Sequence, residues 1–296
     1  MGFDQYKNAI KIIRGTGNMD NKIKLVALDL DRTTLNSQSR ISDTNRQALI
    51  SAINNGVHVC IASGRAFDTL PKDILDIPGI EYAITSNGAA IYRIKGKECL
   101  HSFLLTEDSV HTILNLTQDY PVTYEAFIKG QAFASTEYIR HPEKYGATSH
   151  SLEYVKETRI LKDDIISFIK EHASELDSMD IVVNDQQLKN DIIEQIHIAT
   201  GDVYMTSSIN QLLEISYKDA GKKSGVKFLT EYLGLSRENV AAFGDADNDT
   251  DMIEYAGVGI AMENAAPHLK EIADHITLHH DKDGVAYAFR NILNIC

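Results

Sequence analysis

Lys24–Leu35 reads KLVALDLDRTTL, and the rest of the chain is organised around it. Leu25 to Leu28, with Lys24 in front, form a short apolar run without helical period. Such a run predicts a parallel strand buried on both faces. It ends in Asp29 and Asp31, one residue apart, and Thr33 completes the pattern D-x-D-x-T. Two acids at the end of a buried strand repel each other and lose hydration. A cation removes that conflict, and Mg²⁺ prefers oxygen ligands while keeping positions for water and a substrate phosphate. In that chemistry Asp29 is a carboxylate nucleophile that takes up a phosphoryl group. Asp31 protonates the leaving oxygen and then deprotonates the attacking water. The same residues also suit a strand-to-loop turn with solvated acids, so other segments have to decide.

Working outward, Asp43–Asn55 has helical spacing behind Ser42 as N-cap. Val57–Ala62 (VHVCIA) is a second buried strand, ending in Ser63-Gly64-Arg65. Phe67–Leu75 suggests a helix, and Tyr82–Thr85 a third strand before Ser86-Asn87-Gly88. This alternation predicts a doubly wound, Rossmann-like α/β core with a parallel sheet and right-handed crossovers. Ligands in such sheets sit at the carboxyl ends of the strands, where Asp29, Ser63 and Asn87 lie.

From Ala89 to Ser208 the pattern changes to mixed strands and helices, expected as an inserted α+β unit. Tyr138–Thr158 within it has no clear pattern. Val240–Phe243 then resumes the first style and ends in Gly244-Asp245-Ala246-Asp247-Asn248-Asp249. The expected division is a core of residues 22–88 and 209–296, an insert of 89–208, and an N-terminal appendage of 1–21.

Each further station has two readings. Ser63 and Gly64 suit a phosphoryl oxygen or an ordinary helix cap. Arg65 reaches either a substrate's outer part or a surface ion pair. Lys222 opposes the helix dipole where it stands, a cost that an anionic ligand offsets, yet taken alone a solvated basic turn is the better reading. In the acidic loop, Asp245 is placed for direct metal ligation, Asn248 for a phosphate or water contact, and Asp249 for a metal-bound water or a helix cap. His279-His280-Asp281 reads as a surface loop.

The chain has 29 basic and 42 acidic residues, a net charge of −13, and 43% hydrophobic content. That composition supports a real core and disfavours nucleic acid or an anionic membrane as partner. Cys60, Cys99 and Cys296 are odd in number and fit no zinc or redox pattern. With no apolar run long enough to span a bilayer and no visible signal peptide, a cytoplasmic protein is expected.

Taken together, the four stations resemble the haloacid dehalogenase superfamily of phosphohydrolases, specifically its Cof-type branch with a type 2 α/β cap. Asp29–Thr33, Ser63 in IASGR, Lys222 in KDAGKKSGV and Gly244–Asp249 are similar to motifs one to four. Thr85–Ala90 and Gly284-Val285-Ala286 also look like this branch. The resemblance implies Asp29 as nucleophile and metal ligand, and Asp31 as acid/base with its carbonyl on Mg²⁺. It implies Asp245 as the remaining protein ligand of the metal. Leu30 and Gly64 through backbone groups, with Ser63, Lys222 and Asn248, would hold the phosphoryl oxygens. Arg32 and Lys223 stand where the family usually has glycine.

The resulting expectation is a Mg²⁺-dependent phosphatase acting on a small phosphorylated metabolite, a sugar phosphate or related monoester. The rivals are a phosphohexomutase-like transferase and a weakly active phosphate-ligand-binding regulator, the latter motivated by Arg32. Specificity is expected in the insert, with Tyr124, Glu125, Tyr145 and Asn184 as unranked contacts. Oligomeric state is not legible.

Overall fold

The computed structural model describes residues 23–146 and 149–296. The expected appendage of residues 1–21 lies outside them. The core strands are β1 (Leu25–Leu28), β2 (His58–Ala62), β3 (Tyr82–Thr85), β4 (Ala90–Arg93) and β5 (Glu98–Ser102). The second group is β6 (Thr123–Ile128), β7 (Gln131–Ser135), β8 (Ile160–Lys162), β9 (Ser178–Val182), β10 (Val203–Thr206) and β11 (Leu212–Tyr217). The chain then returns through β12 (Val240–Gly244), β13 (Val258–Ala261) and β14 (His275–Ile276).

An eight-stranded sheet has the order β14-β13-β12-β1-β2-β3-β4-β5. It is parallel from β14 to β3 and antiparallel beyond. β1 is its centre, buried throughout, because a strand covered on both faces tolerates only apolar side chains. The chain leaves β1 in one direction through β2 and β3 and returns to its other side as β12. Right-handed crossovers running in opposite directions put the helices at Asp43–Asn54 and Thr250–Tyr255 on opposite faces. The order reverses between β1 and β12, which opens a crevice at their carboxyl ends.

The six-stranded sheet, order β10-β11-β9-β6-β7-β8, is built on alternation. Tyr124, Ala126, Met179, Ile181, Leu213 and Ile215 face the helices Glu107–Thr117, Ile165–Glu171 and Gln186–Ala199 and form one core. The alternate residues face the eight-stranded unit.

The expected division at 88/89 and 208/209 does not follow the sheets. β4 and β5 extend the eight-stranded sheet, and β11 belongs to the six-stranded one. Only Ser86–Ala89 separate β3 from β4, far too few for a crossover, so β4 must run antiparallel beside β3. The expected helix over Phe67–Leu75 is broken. Pro71 holds Leu70 extended, at ψ 140, and only Lys72–Leu75 is α-helical. The stretch without clear pattern overlaps the end of a helix at Thr136–Arg140 and contains another at Ser149–Thr158.

Candidate active site

Asp29 is the first residue past β1. Its backbone N–H donates to the Phe243 carbonyl at 3.1 Å, so the sheet itself places Asp29 beside the end of β12. The next turn is closed by Leu35 N–H on the Leu30 carbonyl and by Thr34 Oγ1 on the Asp29 carbonyl, at 2.8 and 2.6 Å. Arg32 takes φ 60° in this turn. A non-glycine residue enters that region at a cost of roughly 1 kcal/mol. Its Nε lies 3.6 Å from Asp245 Oδ2, and its exposed guanidinium reaches out to solvent.

β12 delivers the second half of the site. Gly244 has no room for a side chain, since a Cβ there would stand 2.4 Å from Asp249 Cβ. That close approach lets Asp249 Oδ2 accept the N–H groups of Asp245 and Ala246 at 2.9 and 3.1 Å. Asp249 Oδ1 takes Lys222 Nζ at 2.6 Å, and the same Nζ reaches Asp29 Oδ1 at 2.7 Å. Lys222 is wholly buried at the start of the helix Lys222–Tyr232. Burial works against its charge, but Asp249 and Asp29 outweigh it and hold its pKa above the ordinary lysine value.

Asp29, Asp245 and Asp249 bring carboxylate oxygens within 4.8 Å of one another. Burial pushes the Asp29 carboxyl well up, and Asp249 adds to the rise against the opposing Lys222. Burial and Asp249 also raise Asp245, with Arg32 opposing. Three buried acids against one buried lysine leave negative charge uncompensated. A hard divalent cation fits this all-oxygen donor set. Asp249 has both oxygens engaged by the protein, so its evident work is to position Lys222 and the Asp245 loop.

Asp31 points away from this cluster. Its carboxylate is half exposed and takes both Arg65 Nη2 and Nε, at 2.6 and 2.8 Å. Arg65 also stacks over the Tyr154 ring, 4.5 Å to the centroid, and Tyr154 Oη donates to Thr69 Oγ1 at 3.2 Å. Arg65, largely buried, is thus ion-paired with Asp31. Ser63 is buried, and its Oγ accepts Arg65 N–H at 3.2 Å. Asn248 Nδ2 donates to Asn87 Oδ1 at 2.9 Å, and Asn87 Nδ2 donates to Glu214 Oε1 at 2.9 Å.

Sequence reasoning put Asn87 at a strand end without giving it a role, and passed over Tyr154, Glu214 and Asn264 as site residues. Glu214 carried no local signal, because its role depends on β11 crossing to the other unit. Asn264 Nδ2 donates to the Arg32 carbonyl at 2.8 Å and steadies the turn. Of the unranked insert residues, Glu125 faces the core and Tyr124 does not: its hydroxyl pairs with Thr117 Oγ1 on the helix side. Tyr145 packs edge-on against Tyr138, and Asn184 lies beside Gly146. The loop read as surface is partly structural, since His280 is buried with Nδ1 3.0 Å from the Leu35 carbonyl.

Among the described residues no helix is long and apolar enough to cross a membrane. The family described as haloacid dehalogenase-like hydrolases matches residues 26–289. A 5-amino-6-(5-phospho-D-ribitylamino)uracil phosphatase of Bacillus subtilis, YcsE, is 30% identical over 92% of this chain and 96% of its own. Phosphatase YwpJ of the same organism is 29% identical over 92% of this chain and 100% of its own. A solved haloacid dehalogenase-like hydrolase from B. subtilis superposes with a TM-score of 0.77 at 26% identity, covering 91% of this chain and 100% of that one. A subclass IIB sugar phosphatase has the same fold, with a TM-score of 0.79 at 19% identity over 92% of this chain and 100% of that one. The chain belongs to the haloacid dehalogenase-like hydrolase family and is an enzyme of its phosphatase type.

Proposed function

We propose that this phosphatase is Mg²⁺-dependent, works through an aspartyl-phosphate on Asp29, and acts on small phosphorylated metabolites, sugar phosphates or related monoesters. The observation that carries this reading is the buried meeting of Asp29 with Lys222 beside Asp245 and Asp249. Asp29 and Asp245, with the Asp31 carbonyl, would hold the ion. When bound, Mg²⁺ supplies positive charge next to the transferring phosphoryl group, where most of the stabilisation in such reactions is needed.

The chain's own residues do the rest. Asp29 attacks the phosphorus and the bond to the leaving oxygen breaks, which splits one difficult displacement into two. Asp31 gives its proton to the leaving oxygen, then takes one from the water that hydrolyses the acyl phosphate. Lys222, Asn248, Ser63 and the N–H groups of Leu30 and Gly64 hold the phosphoryl oxygens. Arg65, paired to Asp31 and stacked on Tyr154 of the six-stranded unit, orients the acid and ties it to that unit's position. This unit acts as a cap that excludes water when it closes and releases product when it opens.

Asp29→Asn tests the reading with p-nitrophenyl phosphate and Mg²⁺. Loss of hydrolysis with unchanged folding supports it, and hydrolysis that survives the substitution removes Asp29 as nucleophile.

A further inference from the structure

Glu125, Asp180 and Glu214 stand directly opposite one another on β6, β9 and β11, since Asp180 pairs in register with both. They share the sheet face that looks at the core. Like charges directly opposite across a sheet are destabilising, and here all three are buried. Glu125 has a countercharge: Arg159 Nη2 lies 2.6 Å from its Oε2, and Nε donates to the same oxygen at 2.8 Å. Glu214 accepts from Asn87 and from the Ser208 N–H, the latter at 2.5 Å. Asp180 is only 5% exposed and its carboxylate has no hydrogen-bond or ion-pair partner among the described residues. It lines a closed seam between the two sheets together with Gly64, Asn87 and Glu214, too tight here for a water-sized sphere, so a leaving group reaches it only when the six-stranded unit moves away. Burial drives its carboxyl well above the ordinary range, Glu214 and Glu125 adding and Arg159 opposing.

We infer that this row selects phosphomonoesters whose leaving group carries an ammonium, with Asp180 as the principal anchor. The inference rests on the phosphatase reading above and names its substrate class. The row lies next to the station proposed for the phosphoryl group, because Asn87 bridges Asn248 to Glu214. Three carboxylates face one guanidinium, and Arg65 is committed to Asp31. Lys189 feels Glu214, but its ammonium is bound to Ser207 Oγ and the Asn210 carbonyl. A neutral polyol would offer donors yet leave Asp180 holding a proton in place of a countercharge. An ammonium brings three donors and the missing charge together. A monatomic metal ion fits less well. Among the described residues only two groups bring three such ligand atoms within 4.8 Å, and this row is neither.

The test is a matched pair, glucosamine 6-phosphate against glucose 6-phosphate, assayed with Mg²⁺ after the parent enzyme has been shown to cleave p-nitrophenyl phosphate. The amine is expected to be preferred in kcat/KM by about tenfold or more, the scale of one charge-assisted hydrogen bond. In Asp180→Asn the preference should collapse towards unity, mostly through KM for the amine. A purely structural role for Asp180 would lower both substrates together and preserve the ratio, which overturns the inference. A parent ratio at or below unity also overturns it, as does turnover of neither sugar, and these results need no variant to fold. An enzyme inert towards p-nitrophenyl phosphate would instead overturn the phosphatase reading itself.

Discussion

Lys222 Nζ lies 2.7 Å from Asp29 Oδ1, across 193 residues of chain, in a site where the lysine has no exposure at all. A buried ammonium persists only when acids surround it, and acids this deep persist only with positive charge nearby. Lys222→Met strands Asp29 and Asp249 without their cation. The expected cost is on the order of 3–5 kcal/mol, the usual penalty for breaking a buried pair from one side. Denaturant midpoints with and without Mg²⁺ check it, and added Mg²⁺ should recover part of the loss.

Arg32 occupies a left-handed turn and places its Nε 3.6 Å from Asp245 Oδ2. It therefore strains the backbone and competes for a carboxylate that a metal would need. Arg32→Gly relieves the strain, roughly 1 kcal/mol, and frees Asp245. Tighter Mg²⁺ binding in a thermal-shift titration is the expected outcome, with activity raised. The titration should also weaken as pH falls, because burial raises the pKa of Asp29 and Asp245 and protons then compete with the ion. Unchanged or weaker Mg²⁺ binding in the variant would show that Arg32 helps to build the site.

Asp177 offers a pH test away from the chemistry. It is buried just before β9, where its Oδ2 accepts Gly130 N–H at 3.4 Å, and burial pushes it up to about 6 from 3.8. The folded state therefore holds this proton more tightly than the unfolded chain does. The stabilisation is full below about pH 4 and is lost as pH rises through about 6. Asp177→Asn keeps the acceptor and removes the charge. The variant should be more stable than the parent at pH 8, by on the order of 2–3 kcal/mol, with the difference fading towards pH 4. Melting curves at the two pH values decide, and a variant less stable at pH 8 contradicts the burial argument.

The parallel core was legible because a strand covered on both faces must be continuously apolar, as β1 and β12 are throughout and β2 is after His58. The placement of Asp29, Ser63 and Asp245 at strand ends followed from the same pattern. The meeting of Asp29 and Asp245 with Lys222 was legible only through the joint order of four segments, since each alone also fits an ordinary cap or turn. Two features were not readable. The link from Asp31 through Arg65 to Tyr154 depends on a helix in a stretch with weak periodicity. The carboxylate row depends on register between β6, β9 and β11, which are not all neighbours in sequence. Local patterns mark which face a residue takes but not which distant residue it will stand beside.

The central claim is that Asp29 carries the phosphoryl group during turnover. Asp31→Asn should slow hydrolysis of the intermediate by roughly 10²- to 10⁴-fold, the usual contribution of a general base, so that it accumulates. Acid-quenched variant, incubated with Mg²⁺ and excess acetyl phosphate, is then digested and mapped by mass spectrometry. The account predicts one added phosphoryl group on the peptide containing Asp29, absent when Asp29→Asn is added. Phosphate on another residue, or steady turnover with Asp29 never modified, would contradict it.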